Sequence, residues 1–405
     1  MSQPIPNPTT SPWRWAMLGG VWLLYFCFGL TVAAMAPLVS AIVRELDMRL
    51  AAMGAVLGAW PLVYIAAAVP CGVLLDRLGL RWSLALAAAV IAASGALRAA
   101  ADSELGLFLA VAVFGLGGPL VSVGAPKLIG QWFAERERGL AMGIYITGPA
   151  IGGIVALALT SAVLMPWLDG RWRLVLVIYA GASLAAGLVW LWLSAHPAAR
   201  TLEREGARRA PEAQIAVFAR LLGAPAVRVV LLMSIGIFFF NHGLNNWLPE
   251  MLRAGGMEAA RAGLWAALPT AVGIPAALLI PRLAVRRRRI AILVSLFVCA
   301  GLATLLLHGT ATPLLAGGLV LQGIARGAMM SIAVLALMDA REVQGRNMGA
   351  AGGLFFAAAE IGGVLGPLTL GLVADATGGF DAALWLLTGV CVALTVLTRT
   401  LARHA

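Results

Sequence analysis

The chain has 405 residues, 61% of them hydrophobic and 12% charged, with a mean hydropathy of +0.93 and a net charge of +11. Soluble domains carry about a quarter charged residues, so no soluble core could bury this much apolar side chain, and lipid must solvate much of the surface. The positive charge falls in short clusters between long apolar runs, which argues against a nucleic-acid partner and for basic loops beside membrane helices.

The N-terminal stretch MSQPIPNPTTSPWRW is short, polar and proline-rich, without the basic start, short apolar stretch and cleavage site of a signal peptide. The first apolar run therefore reads as a retained helix. About 20 apolar residues cross a bilayer core, and such runs lie at 15–42, 51–75, 82–101, 105–132, 139–165 and 173–194. A second set lies at 226–252, 259–282, 290–308, 313–338, 348–376 and 380–402. Between the sets is the one extended polar stretch, so the expected domains are 1–194, a linker at 195–225, and 226–405. The expected fold is all-α: twelve transmembrane helices in two pseudo-symmetric six-helix bundles.

Placing the N-terminus in the cytoplasm puts 20 Arg residues on that side and seven on the other, among the latter Arg44, Arg49, Arg98 and Arg173. The positive-inside rule then makes both termini and the linker cytoplasmic. Lys127 and Arg326 remain inside spans. GVLLDRLGLR (72–81) is echoed by ALLIPRLAVR (277–286), and ERERGLAMG (135–143) by VQGRNMGAA (343–351), each about 205 residues on. Paired halves of this kind hold substrate at the midplane between them.

The stretch Gly72-Val-Leu-Leu-Asp76-Arg77-Leu-Gly79-Leu-Arg81 resembles the loop motif of the major facilitator superfamily, and the resemblance covers essentially the whole chain. It implies a cytoplasmic gate: Asp76 against a neighbouring helix N-terminus, with Arg77 and Arg81 bridging to helix ends and Arg138 beside them. Pro281 stands where the second copy would need its acid, so no equivalent acidic latch is expected there. Gly148-Pro149-Ala-Ile-Gly152-Gly153 resembles the superfamily's exporter-associated signature, yet serves equally as a helix contact surface. The segment from Lys127 through Trp132, Phe133 and Arg138 to Gly143 is similar to bacterial carriers of small anions: monocarboxylate, oxalate–formate and cyanate/nitrate branches. That implies the bacterial inner membrane and a small anionic substrate; a monomer with the proton as coupling ion is expected.

Ionisable groups at bilayer depth are costly and mark candidate sites. Arg326 and Glu360 lie near the middle of the tenth and eleventh spans, and opposite charges at one depth suggest a pair. Arg326 offers a bidentate fork for an oxyanion, with Glu360 as the proton-coupling group; a purely structural bridge is the other reading. The seventh span carries Asn241, His242, Asn245 and Asn246, with Asn241 and Asn245 on one face and His242 and Asn246 on the next. These are candidate substrate contacts, although His242 could equally serve as a structural hydrogen-bonding group. Tyr25, Trp60, Tyr64 and Tyr145 are candidate cavity aromatics that core packing would explain as well. Lys127 either snorkels to the interface or lines the cavity, and Trp13, Trp15, Trp167 and Trp172 read as interfacial anchors.

The four cysteines lie far apart in apolar runs, and no metal or cofactor motif is present. Nor is there an HExxH, a complete Walker A or a credible catalytic triad, so an enzyme is not expected. The leading function is a proton-coupled secondary carrier of a small organic anion such as a monocarboxylate. The alternative is a proton-driven exporter of drugs or amphipathic metabolites.

Overall fold

A computed structural model describes residues 11–197, 220–309, 311–340, 343 and 348–404. Most of the expected linker, and residues 344–347 of the fourth repeat segment, lie outside the described residues. The described chain forms helices long and apolar enough to cross a membrane: Trp13–Glu45 (α1), Leu50–Ala100, Glu104–Trp132 (α4), Glu135–Trp167 (α5), Trp172–Leu193 (α6), Pro225–Ala254 (α7), Ala259–Leu283 (α8), Arg286–Leu306 (α9), Thr312–Met338 (α10), Ala350–Thr377 (α11) and Asp381–Ala402 (α12). The second of these has 51 residues, enough for two crossings. It reverses at Gly79, whose φ of 76° only glycine adopts cheaply. Residues 50–78 are therefore α2 and residues 80–100 are α3, giving twelve spans among the described residues.

Small residues set the tightest helix contacts. A methyl group added at Gly152 of α5 would sit 2.1 Å from the Phe26 carbonyl oxygen of α1. One added at Gly362 of α11 would sit 1.9 Å from the Ile235 carbonyl of α7. The two contacts are related by about 210 residues, so α1 with α5 and α7 with α11 are pseudo-symmetric pairs. In lipid, close backbone approach of this kind replaces the hydrophobic driving force between helices. The glycine–proline stretch on α5 thus acts as a contact surface here.

The halves meet at one end of the bundle, the end carrying the α1–α2 and α7–α8 connections. There α2 lies along α11 and α5 along α8. A methyl at Gly54 would be 2.5 Å from the Pro367 carbonyl, and one at Gly263 would be 2.5 Å from the Leu157 carbonyl. Asp375 of α11 accepts the backbone N–H groups of Leu50 and Ala51 at 3.1 and 2.8 Å, capping α2 from the opposite half. Arg49 adds an ion pair to the same carboxylate at 3.7 Å. Ser40 on α1 links to Glu250 and Arg253 of α7. Every hydrogen bond, ion pair and ring contact found between the halves, among the described residues, lies between this end and mid-depth. This end is closed.

Candidate functional site

Three ionisable groups of the second half gather at mid-depth. His242 on α7 is stacked between Phe238, at 5.3 Å and 20°, and Trp60 of the other half, at 5.5 Å and 29°. Glu360 on α11 is buried at 5% exposure, and its Oε2 has no hydrogen-bond partner. Carboxylate and imidazole converge over Gly363: a methyl built there would lie 2.6 Å from Glu360 Oε2 and 3.2 Å from His242 Nδ1. Gly363 is what leaves room for both. Arg326 on α10 is half-buried, donates from Nη1 to the Thr270 hydroxyl of α8, and lies within electrostatic reach of His242.

The expected Arg326–Glu360 pair is not formed. Neither group has an ion-pair partner among the described residues. The reason is topological. Helix α10 packs against α8 and α9, whereas α11 packs against α7 and α2, so consecutive spans at equal depth are not neighbours. Of the α7 amides, Asn246 is buried and donates back to the His242 carbonyl at 2.8 Å, a bond internal to its own helix. Asn241 keeps a buried Oδ1 without a hydrogen-bond partner among the described residues, and Asn245, one turn further along α7, is half-buried.

The first half faces these groups with aromatic rings. Tyr25 and Tyr145 stack at 5.1 Å and 16°, while Trp60 meets Tyr64 edge-on at 6.1 Å. Phe28 joins the two pairs, stacking on Tyr25 at 5.4 Å and meeting Trp60 edge-on at 6.2 Å. Tyr64 lies within electrostatic reach of Glu360 across the interface. All four expected aromatics therefore belong to one wall.

The family model described as Major Facilitator Superfamily matches residues 21–359. The chain belongs to the major facilitator superfamily. It is 28% identical to the "Uncharacterized transporter YycB" of Bacillus subtilis (strain 168), over 94% of this chain and 91% of that one. It is also 28% identical to a "Quinolone resistance transporter" of Acinetobacter baumannii, over 86% of this chain and 84% of that one. A "Galacturonate transporter" of Dickeya chrysanthemi shares 28% over 50% of this chain and 59% of its own length. The fold matches the crystal structure of a bacterial homologue of the human lysosomal transporter Spinster, with a TM-score of 0.74 at 18% identity, covering 98% and 96% of the two chains. The chain is thus a multi-pass membrane transporter, not an enzyme.

The superfamily loop residues differ in detail from the arrangement the motif implied. Asp76 makes no contact with the N-terminal N–H groups of a neighbouring helix among the described residues: it pairs with Lys127 Nζ at 2.6 Å, within its own half. Lys127 is accordingly a partner for α2 rather than a free snorkelling cation. Arg77 is exposed, and the Arg81 guanidinium lies over the Trp82 ring at 5.2 Å. Arg138 donates to the carbonyls of Gly130 and Phe133, capping the end of α4. In the second half, where Pro281 stands in place of the acid, Asp339 at the end of α10 pairs with Arg286 and Arg289.

Two readings from composition also change. Arg98, counted with the loop cations, is 1% exposed: its Nη1 donates to the Thr31 carbonyl at 3.1 Å and its guanidinium lies 5.4 Å from the Phe114 ring. Being in the last turn of α3, it looks from sequence like a loop residue, but its long side chain folds inward. Trp172, expected as an interfacial anchor, is buried and donates from Nε1 to Glu45 at 2.6 Å. The contacts of Asp375, Ser40, Glu250 and Arg253 across the halves had no sequence motif to announce them.

Proposed function

We propose that this transporter is a proton-coupled secondary carrier of a small organic anion such as a monocarboxylate, working as a monomer by alternating access. The observation that carries the reading is Arg326. It is a mid-depth guanidinium bonded to Thr270, with no carboxylate within ion-pair distance among the described residues. A cation there without a protein counter-charge is costly unless an anion joins it, and its planar fork suits a carboxylate. The likeness to a galacturonate transporter supports a carboxylate-bearing solute. Glu360 supplies the proton site, a buried carboxyl whose Oε2 lacks any partner, with His242 beside it. Asn241, Asn245 and Asn246 line the second half of the cavity, while Tyr25, Trp60, Tyr64 and Tyr145 line the first.

In this reading the bundles 1–194 and 226–405 rock about the site on the linker 195–225. Both termini are cytoplasmic in a bacterial inner membrane, so the closed end faces outward and the chain is inward-facing. Asp76, Arg77, Arg81 and Arg138 act when the opposite end closes, with Lys127 holding Asp76 meanwhile. Export of drugs is the second reading, favoured by the likeness to a quinolone resistance transporter over most of the chain.

The test is uptake of a panel of labelled monocarboxylates into proteoliposomes, with and without an imposed pH gradient and a protonophore. Gradient-driven accumulation is expected, impaired in Arg326→Lys. In Glu360→Gln it is expected to be abolished, with passive exchange spared. Accumulation indifferent to the gradient would overturn the proton coupling. Expulsion of cationic drugs with no carboxylate flux would favour the second reading.

A further inference from the structure

The two walls of the site differ in chemistry. On the second half the buried oxygens Asn241 Oδ1 and Glu360 Oε2 have no hydrogen-bond partner among the described residues, and the Arg326 guanidinium donates to Thr270. The first half meets these groups with aromatic rings. Tyr25 stacks on both Tyr145 and Phe28, Phe28 meets Trp60 edge-on, and the Ser122 hydroxyl donates to the Gly118 carbonyl of its own helix at 3.1 Å. What the first half presents is ring surface. Tyr25 and Tyr64 are half-buried, backed by the buried Tyr145 and Trp60. Gly118 leaves the rings of Phe28 and Tyr64 room to lie over α4, since a methyl there would be 3.1 Å from both.

We propose that the substrate is a planar aromatic carboxylate, its ring against the Tyr25–Tyr64 wall and its carboxylate on Arg326. This rests on Arg326 being the anion anchor of the proposed carrier. A polyhydroxylated acid would strand hydroxyls against the aromatic wall, and each one left without a partner weakens binding by about tenfold. A flat ring instead gains from offset or edge contact with tyrosine, worth about two- to tenfold beyond its area. A saturated ring of equal size has the area without the quadrupole, so it separates stacking from simple apolar fit.

The experiment measures binding of benzoate, cyclohexanecarboxylate and D-galacturonate to the purified full chain by calorimetry. It compares wild type with Tyr25→Leu, Tyr64→Leu, Tyr25→Phe and Arg326→Lys, each checked for monodispersity and melting temperature. Benzoate is expected to bind about two- to tenfold tighter than cyclohexanecarboxylate and about tenfold or more tighter than D-galacturonate. The leucine variants should erase the preference over the saturated ring, and Tyr25→Phe, which keeps the ring and loses the hydroxyl, should retain it. D-galacturonate binding as tightly as benzoate, or a benzoate preference that survives in both leucine variants, overturns the inference. If that happens while Arg326→Lys still weakens every acid, the anion-carrier reading stands alone. If Arg326→Lys changes none of them, or no acid binds, both readings fall.

Discussion

Asp375 caps two N–H groups of a helix that belongs to the opposite half, so replacing it perturbs the contact between halves rather than either half alone. The first N–H groups of α2 have no partner within their own helix, and the residue preceding it, Arg49, offers no side-chain cap. Asp375 supplies that cap at 3.1 and 2.8 Å, with its side chain 15% exposed. Losing a side-chain cap costs typically about 1 kcal/mol, and the carboxylate's interaction with the helix dipole adds about 0.3–1 kcal/mol. The Arg49 ion pair contributes little, because that arginine is 80% exposed and water screens it. When the closed end opens, water takes over the N–H groups, so the net bias toward the closed end is about 1–2 kcal/mol.

That bias is about a 5- to 30-fold change in the ratio of the two states. Asp375→Ala should shift the ratio toward opening by that factor. Asp375→Asn should shift it less, since an amide oxygen still accepts an N–H and asparagine is a good cap. Spin labels on Asp102→Cys and Ala254→Cys, in a background without Cys27, Cys71, Cys299 and Cys391, would report the separation of the halves at this end. A longer distance that grows from wild type through Asn to Ala is the expected result. Identical distance distributions in all three would refute the claim that the cap holds this end shut.

Gly362→Ala should destabilise the protein by about 1–3 kcal/mol through overpacking, read as a lower melting temperature in detergent, because its methyl would meet the Ile235 carbonyl at 1.9 Å. Gly352→Ala, on the same helix with open space around it, should leave the melting temperature near wild type. Asp76→Asn should change stability by less than about 1 kcal/mol, since Asp76 is 69% exposed, yet slow turnover in reconstituted vesicles; unchanged turnover would remove it from the gate. Arg326→Met combined with Glu360→Gln should not restore transport, because the groups form no ion pair, and a double variant that transports like wild type would show that they pair in another state.

The spans were legible because length and hydropathy alone decide whether a segment can cross a bilayer. The pairing of the halves was legible because the segments at 72–81 and 135–143 have counterparts about 205 residues on. Depth along a span was legible too, which is why Arg326, His242 and Glu360 stood out. What sequence could not supply was direction around each helix. Arg98 sits in a terminal turn and looks exposed, but its side chain turns back onto Phe114. Asp375 also sits at a span end, and only the tertiary arrangement brings it to the start of α2.

The failure of the Arg326–Glu360 pair matters most for mechanism, because it separates the two tasks assigned to them. Arg326 belongs to the packed pair α8–α10, through Thr270, and Glu360 to the pair α7–α11, over Gly363. An anion on one and a proton on the other therefore do not compete for a single salt bridge, and their coupling needs an intermediary. His242 is placed to be one: it shares Gly363 with Glu360, lies within electrostatic reach of Arg326, and stacks on Trp60 of the opposite half. A charge change at either acid or anion is felt by the imidazole, and a charged imidazole changes its attraction to the indole face by about 0.5–2 kcal/mol. That contact bridges the two halves, so in the proposed carrier the occupancy of the site and the closure of its outer end bear on the same ring.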